Sequence, residues 1–210
     1  ASFAGWTRDG CLLMSTRFAE TTQAHRVCQP LGMREQLTFY PEPVAAITPS
    51  PAEAWREGFV FAKDKGGDEF SQLYWFDEAS RNVTLLTDGK RTQNNGALFS
   101  HDGKLLAYRS TARNGTDTDV WVRDIATGTA KPVVTAGGSW SAQDFSPDGK
   151  TLLVMKNVSA IRRARNVRDA APDGNPPCRP PDDSPRRARR PRREEDGTTE
   201  THEEATKPRR

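Results

Sequence analysis

Few residues of this 210-residue chain could support covalent chemistry, and their spacing assembles no catalytic set. An acyl-transfer serine of the Gly-x-Ser-x-Gly type needs a sharp turn between a strand and a helix, and a histidine base within reach. The nearest string is Gly137-Gly138-Ser139-Trp140-Ser141, where Ser141 replaces the last glycine. It lies between two strand-like runs, so an inter-strand loop is expected instead of an elbow. The histidines are His25, His101 and His202. His101 falls in a polar turn and His202 in a polar tail, so no Ser-His-Asp set is defended and no catalytic residue is assigned. Asp64, Asp68 and Glu69 cluster near two glycines but lack the alternating ligand spacing of a calcium loop, which predicts a solvated loop. Asp117 and Asp119 are expected to cap backbone donors at a rim. Asn82, Asn114 and Asn157 each open an N-x-S/T triplet, which matters only in a secretory compartment. No metal and no cofactor are expected.

The cysteines are Cys11, Cys28 and Cys178. Their number is odd and their spacing fits no zinc pattern, so they are read as free thiols in a reducing compartment, in preference to a Cys11–Cys28 disulfide. No charged segment followed by an apolar one opens the chain, and no apolar run approaches the ~18–20 residues of a membrane helix. A cytoplasmic location without membrane contact is therefore expected.

The elements that would position these residues are strongly divided along the chain. All 17 aromatic residues precede residue 161, whereas 8 of the 15 prolines follow it. Residues 161–210 hold 14 basic and 10 acidic side chains, and residues 1–160 hold 17 and 18. The stretch Arg186-Arg187-Ala188-Arg189-Arg190-Pro191-Arg192-Arg193 resembles a basic nucleic-acid patch. It has no aromatic for base stacking, and Glu194, Glu195 and Asp196 follow at once, so nucleic-acid binding is not the favoured reading. Residues 161–210 are expected to be a disordered Arg/Pro-rich tail, because only Ile161 and Val167 are aliphatics larger than alanine. The abrupt change of composition after residue 160 also suggests out-of-frame translation of GC-rich DNA.

Residues 1–160 contain a repeat. Phe99-Ser100-His101-Asp102-Gly103-Lys104 returns as Phe145-Ser146-Pro147-Asp148-Gly149-Lys150, 46 residues on. Leu73-Tyr74-Trp75-Phe76-Asp77 returns as Val120-Trp121-Val122-Arg123-Asp124, and Leu85-Leu86-Thr87 as Val133-Val134-Thr135. Upstream, Trp6-Thr7-Arg8-Asp9-Gly10 and Leu37-Thr38 extend the series, and the turn near residues 48–55 has diverged. Each unit reads as four short strands. Ser-Pro-Asp-Gly makes a tight turn, and Pro132 suits an outer edge strand that can lose a donor. Four-stranded units with a period in the forties predict an all-β fold, an incomplete β-propeller of about three and a half blades over residues 1–160. An open ring leaves two apolar blade faces uncovered, so self-association through them is expected.

The FSPDGK turn, the following Leu-Leu-Val and the preceding Asp-Val-Trp-Val-Arg-Asp resemble the blades of TolB-like propellers, which also form the N-terminal domain of prolyl oligopeptidase family serine peptidases. The stretches from His25-Arg26-Val27 to Gly67-Asp68-Glu69-Phe70, and Thr111-Ala112-Arg113-Asn114-Gly115-Thr116-Asp117, are closer to the bacterial peptidase group. The resemblance implies a propeller that restricts access to a separate α/β-hydrolase domain, confining the enzyme to oligopeptide substrates. That catalytic domain is absent from these residues, so the chain alone is expected to be inactive. The alternative is a non-catalytic TolB-like propeller that mediates protein–protein interaction.

Overall fold

A computed structural model describes residues 1–17, 19–51, 54, 56–158 and 163–170. Fifteen strands run in chain order through them: β1 (Ser2–Trp6), β2 (Leu12–Arg17), β3 (Thr22–Val27), β4 (Glu35–Gln36), β5 (Ala45–Pro49), β6 (Gly58–Lys63), β7 (Gln72–Asp77), β8 (Val83–Leu85), β9 (Asn94–Phe99), β10 (Leu105–Ser110), β11 (Asp119–Asp124), β12 (Ala130–Val134), β13 (Ser139–Phe145), β14 (Thr151–Asn157) and β15 (Arg163–Asp169). Among the described residues there is no helix. Consecutive strands pair antiparallel into four sheets, β1–β4, β5–β8, β9–β12 and β13–β15. The first strands of successive sheets touch one another, β1 on β5, β5 on β9 and β9 on β13, so these are the inner edges of four propeller blades.

The recurring sequence element makes the same turn four times. After the inner strand a hydroxyl residue accepts the backbone N–H of the returning strand: Thr7 from Cys11 at 3.0 Å, Ser50 from Gly58 at 3.3 Å, Ser100 from Leu105 at 2.9 Å and Ser146 from Thr151 at 2.9 Å. The same hydroxyl donates to the turn carboxylate in three blades, Thr7 to Asp9, Ser100 to Asp102 at 2.7 Å and Ser146 to Asp148 at 2.6 Å. That bond holds the Asp102 and Asp148 carboxyls below their usual pKa. Gly103 and Gly149 close these turns at φ 69° and 70°, a left-handed conformation that costs an L-residue about 1–2 kcal/mol. In the second blade Ser50 and Gly58 pair across a longer segment, Ser50 N donating to Gly58 O at 2.9 Å.

Adjacent blades enclose three separate cores. Leu13, Ala24 and Leu37 of the first blade pack on Phe59, Phe61 and Phe76 of the second. Val60, Ala62, Leu73 and Trp75 of the second face Leu106 and Tyr108 of the third. Ala107, Val120 and Val122 of the third face Trp140, Phe145, Leu152 and Val154 of the fourth. Residues of one strand thus alternate between the two neighbouring blades, as period-two pleating requires when both faces are covered. Each large side chain buried this way contributes about 1.5–3 kcal/mol relative to exposure.

Two expectations need correction. The boundary at residue 160 falls inside a hairpin, since β14 and β15 pair over seven positions from Thr151↔Asp169 to Asn157↔Arg163. Among the described residues the fourth blade has three strands, with residues 163–169 as the third. A strand needs little apolar content when a neighbour supplies its backbone partners. Ala170 is fully buried in the third core and Arg168 is also buried, so the tail-like composition does not prevent docking. Residues 171–210, including Cys178, His202 and the arginine-rich run, lie outside the described residues. The second correction concerns Cys11 and Cys28, which form a disulfide with an S–S distance of 2.02 Å, not two free thiols. Leu12 pairs with Val27 across the β2–β3 hairpin, so the next position outward places Cys11 against Cys28.

Candidate functional site

The inner strands are where four copies of one unit converge, and they share a distortion. Each carries a register shift against its neighbour at the same distance before the turn hydroxyl: between Phe3 and Gly5, Ala45 and Thr48, Asn95 and Leu98, and Ala142 and Asp144. An extra residue on one strand bends it and increases its twist. Gly96 takes φ 66° in this bulge and Ala46 takes φ 48° at the corresponding place. Many of the exposed or half-buried residues here are small, Ala4, Gly5, Ala45, Ala46, Gly96, Ala97, Ser141 and Ala142, beside the larger Phe3, Asn95, Leu98 and Gln143. Across β1, β5, β9 and β13 the only ionisable side chain is that of Asp144. Its Oδ1 lies 3.9 Å from Nε2 of His101. The guanidinium of Arg109 on β10 is held by Oδ1 of Asn95. The inner strands therefore carry one carboxylate and no cation in a chain of which 28% is charged.

One rim of the blades is fixed by polar side chains, of which the sequence pointed to Asp117 and Asp119 but not to Gln72 or Gln23. Gln72, buried at the start of β7, donates to the carbonyls of Lys90 at 2.8 Å and Thr92 at 2.9 Å. It accepts from Thr87 Oγ1 at 2.6 Å, Gly89 N at 3.0 Å and Asn94 Nδ2 at 3.2 Å. Gln23 does the same in the first blade, donating to Thr21 Oγ1 and to the carbonyls of Tyr40 and Glu42, and accepting from Tyr40 N. Asp119 occupies the corresponding place in the third blade. It is fully buried and receives Arg113 Nε at 2.6 Å. These residues begin the third strand of each blade, 49 and 47 positions apart, so the repeat itself carried the signal. Asp119 holds Arg113 of the loop before β11, whereas Gln23 and Gln72 clamp the loop that leads into the next inner strand. Asp117 serves that loop too, accepting Gly138 N at 2.7 Å, and this bond, with Asn114 and Arg113, lowers its pKa to about 2.

The residues weighed for chemistry are dispersed. Ser139 opens β13 and Ser141 lies within it, so Gly137-Gly138-Ser139-Trp140-Ser141 is a loop followed by an inner strand. His25 is buried on β3 with Nδ1 3.0 Å from the Gln23 carbonyl, and His101 Nε2 lies 3.2 Å from the Phe145 carbonyl. Asp64 and Asp68 turn their carboxylates to backbone N–H groups of their own loop, those of Glu69 at 3.4 Å and Phe70 at 3.0 Å. Asp9, Cys11 and Cys28 are the one group with ligand-capable atoms close together among the described residues, and the two sulfurs there are consumed by the disulfide. A cavity of about 410 Å³ opens beside the first blade between Ala19, Glu20, Gln23, Gln36 and Tyr40. Its amide Gln23 is already committed to the loop bonds just described.

No protein-family profile matches the chain, and no curated protein matches it. Solved structures do. TolB from Acinetobacter baumannii superposes over 81% of this chain with a TM-score of 0.59 and 22% identity. The fold is that of a TolB-type propeller. Oligogalacturonate lyase from Vibrio parahaemolyticus aligns with 80% of the chain at a TM-score of 0.59 and 17% identity. Puromycin hydrolase aligns with 78% at a TM-score of 0.54 and 16% identity. The chain spans 41%, 51% and 26% of the lengths of these three proteins, respectively. A TolB-type propeller thus accompanies three unlike functions, and fold alone does not choose among them.

Proposed function

We propose that this propeller is a non-catalytic gating module of a serine peptidase acting on oligopeptides. The observation that carries the reading is the inner edge formed by β1, β5, β9 and β13, which carries no cation and a single carboxylate, that of Asp144. Peptides vary in charge along their length, and a passage that admits them has no use for a fixed field of either sign. A nucleophile, base and oxyanion hole would come from a separate hydrolase domain. In this reading the Arg/Pro-rich composition beyond residue 170 reflects a shift of frame that separated propeller from catalytic part.

The test has two arms. The 210-residue chain is assayed with chromogenic aminoacyl and prolyl peptides and a fluorophosphonate probe, and the DNA following codon 160 is read in all frames. Neither turnover nor serine labelling is expected, and a downstream frame should encode further blades and a Gly-x-Ser-x-Gly elbow. Probe-blocked turnover, or no such frame, would refute the proposal. A second reading, a propeller that binds a protein partner, is favoured by the exposed Leu31 and Met33 on the β3–β4 turn and by Phe39. Binding of a folded partner that is lost on Leu31→Ser would select it.

A further inference from the structure

We propose that Asp9, Cys11 and Cys28 form a redox-gated site for a thiophilic divalent cation of the zinc type. The site is closed while the Cys11–Cys28 disulfide stands and opens when a dithiol reduces it. The inference goes beyond the gating reading and does not depend on it.

Backbone that does not need the disulfide brings the three residues together. β2 and β3 pair over six positions from Leu12↔Val27 to Arg17↔Thr22, which sets Cys11 against Cys28 with Cα atoms 4.1 Å apart. Asp9 is fixed by the tight turn before β2. There Thr7 Oγ1 accepts Cys11 N at 3.0 Å and donates to the Asp9 carboxylate, and Gly10 N donates to Thr7 O at 3.1 Å. Oδ2 of Asp9 lies 3.2 Å from Cys11 Sγ, and the three ligand atoms lie within 4.8 Å of one another. A tetrahedral zinc ion with bonds of ~2.3 Å to sulfur and ~2.1 Å to oxygen holds such atoms roughly 3.6–3.8 Å apart. Side-chain rotation reaches that spacing without a change of strand register. Asp9 and Cys28 are exposed and Cys11 is buried, so reductant and ion both arrive from solvent and water takes the fourth position.

The same turn in the third blade shows what the first one lacks. Cys11 directly follows the turn glycine, as Lys104 and Lys150 do. Lys104 Nζ stands 3.1 Å from Oδ2 of Asp102, and Ile125 faces Lys104 from the next strand, its N–H on the Lys104 carbonyl at 2.9 Å. The first blade puts two sulfurs where the third has a lysine and an aliphatic residue, so Asp9 is left without the lysine that Asp102 has. The arginines around it are committed elsewhere, Arg8 to the Ala54 carbonyl and Arg26 to Glu35 and Glu78. A cation held by the two thiolates supplies that missing charge.

The opening step is thiol–disulfide exchange. One thiolate of the dithiol attacks Cys28 Sγ, the S–S bond breaks, and its electron pair leaves on Cys11 Sγ. The second thiol of the reductant then displaces Cys28. The dithiol ends as a disulfide, and the protein gains two electrons and two protons. Binding of the cation releases those two protons to water.

The experiment uses the full 210-residue chain carrying Cys178→Ser, reduced with a dithiol and then freed of it, with cobalt(II) as the probe. One cobalt per chain should bind, giving thiolate-to-metal charge-transfer absorption and the visible bands of a tetrahedral ion, and zinc should displace it one for one. The oxidised chain should give neither signal. Cys28→Ser should remove most of the charge-transfer absorption. Asp9→Ala should keep that absorption but weaken binding about tenfold or more, since loss of even a partner behind the ligands costs about 10–100-fold. Zinc should also slow alkylation of both thiols. A folded reduced chain without the absorption would overturn the proposal, as would an equal signal from the oxidised chain or from Cys28→Ser. An Asp9→Ala variant of unchanged affinity would overturn the three-residue site. So would a reduced chain that loses its far-ultraviolet spectrum and does not regain it with zinc.

Discussion

Replacing Gln72 by leucine tests whether the buried amide at the start of β7 clamps the loop into the third blade. The side chain makes six hydrogen bonds, to Lys90 O, Thr92 O and Oγ1, Thr87 Oγ1, Gly89 N and Asn94 Nδ2. Leucine fills nearly the same volume and makes none of them. Gly89 and Lys90 are exposed and regain water. Asn94 keeps a bond to Thr92 Oγ1 at 2.9 Å. The loss that water does not repair is therefore carried by Thr87 and Thr92, so the expected destabilisation is about 2–3 kcal/mol, a large share of the ~5–15 kcal/mol of an ordinary domain. Gln72→Glu should be worse than leucine, because it keeps the acceptor for Thr87 but turns a second carboxylate oxygen toward the two carbonyls. Urea unfolding followed by tryptophan fluorescence measures both as midpoint shifts at constant slope. A leucine variant within ~0.5 kcal/mol of wild type, or a glutamate variant more stable than the leucine one, would refute the clamp.

Gly103→Ala should destabilise far more than Gly149→Ala. Both residues sit at positive φ, but a Cβ on Gly103 would lie 2.4 Å from Cβ of Ala54, whereas nothing lies within 4 Å of one on Gly149. Equal melting-temperature losses would mean that the second and third blades do not meet there. Reduction, or Cys11→Ser with Cys28→Ser, should cost about 3 kcal/mol for a loop of this length, the two cysteines being 17 residues apart. Intact mass before and after alkylation checks the bond, and two readily alkylated thiols in the folded chain would contradict it. Asp77 has its pKa lowered to about 2, first by the Ser80 backbone N–H and then by the Ser80 hydroxyl and Arg56. Its stabilisation is thus fully present above about pH 4 and lost as pH falls toward 2, and Asp77→Asn should flatten that acid limb of a stability–pH curve.

The blades were legible because a propeller repeats its turn chemistry. The hydroxyl of Ser100 and Ser146, the carboxylate two residues on and the glycine after it are three groups that one turn needs together, so they recur together. The second blade's turn was harder to read because Ser50 alone survives there, its Asp-Gly replaced by a longer path to Gly58. The clamp residues Gln23 and Gln72 were missed for a different reason: only the loop carbonyls that each one meets show their job. Asp119 was expected to cap backbone donors, and it takes the Arg113 guanidinium instead. The disulfide depended on strand register, which cysteine spacing does not state: the pairing of Leu12 with Val27 decides it. The strand β15 was hidden by composition, since its partners are backbone groups of β14 and the sequence offers little beyond Val167 and Ala170 to mark them.

What the inner wall contributes can be set against the substrates that similar propellers are associated with. Oligogalacturonate is a polyanion, and a surface that holds one needs cations close by, because carboxylate attraction falls to about 1 kcal/mol per contact in water and is screened within ~8–10 Å. The inner strands of this chain offer no lysine or arginine and one aspartate, and Arg109 behind them is tied to Asn95. Such a wall repels a uronate chain weakly and leaves a mixed peptide indifferent. The charge that the turns do carry is partnered locally: Asp9, Asp102, Asp117 and Asp148 meet hydroxyl, amide or backbone donors of their own loops and rims.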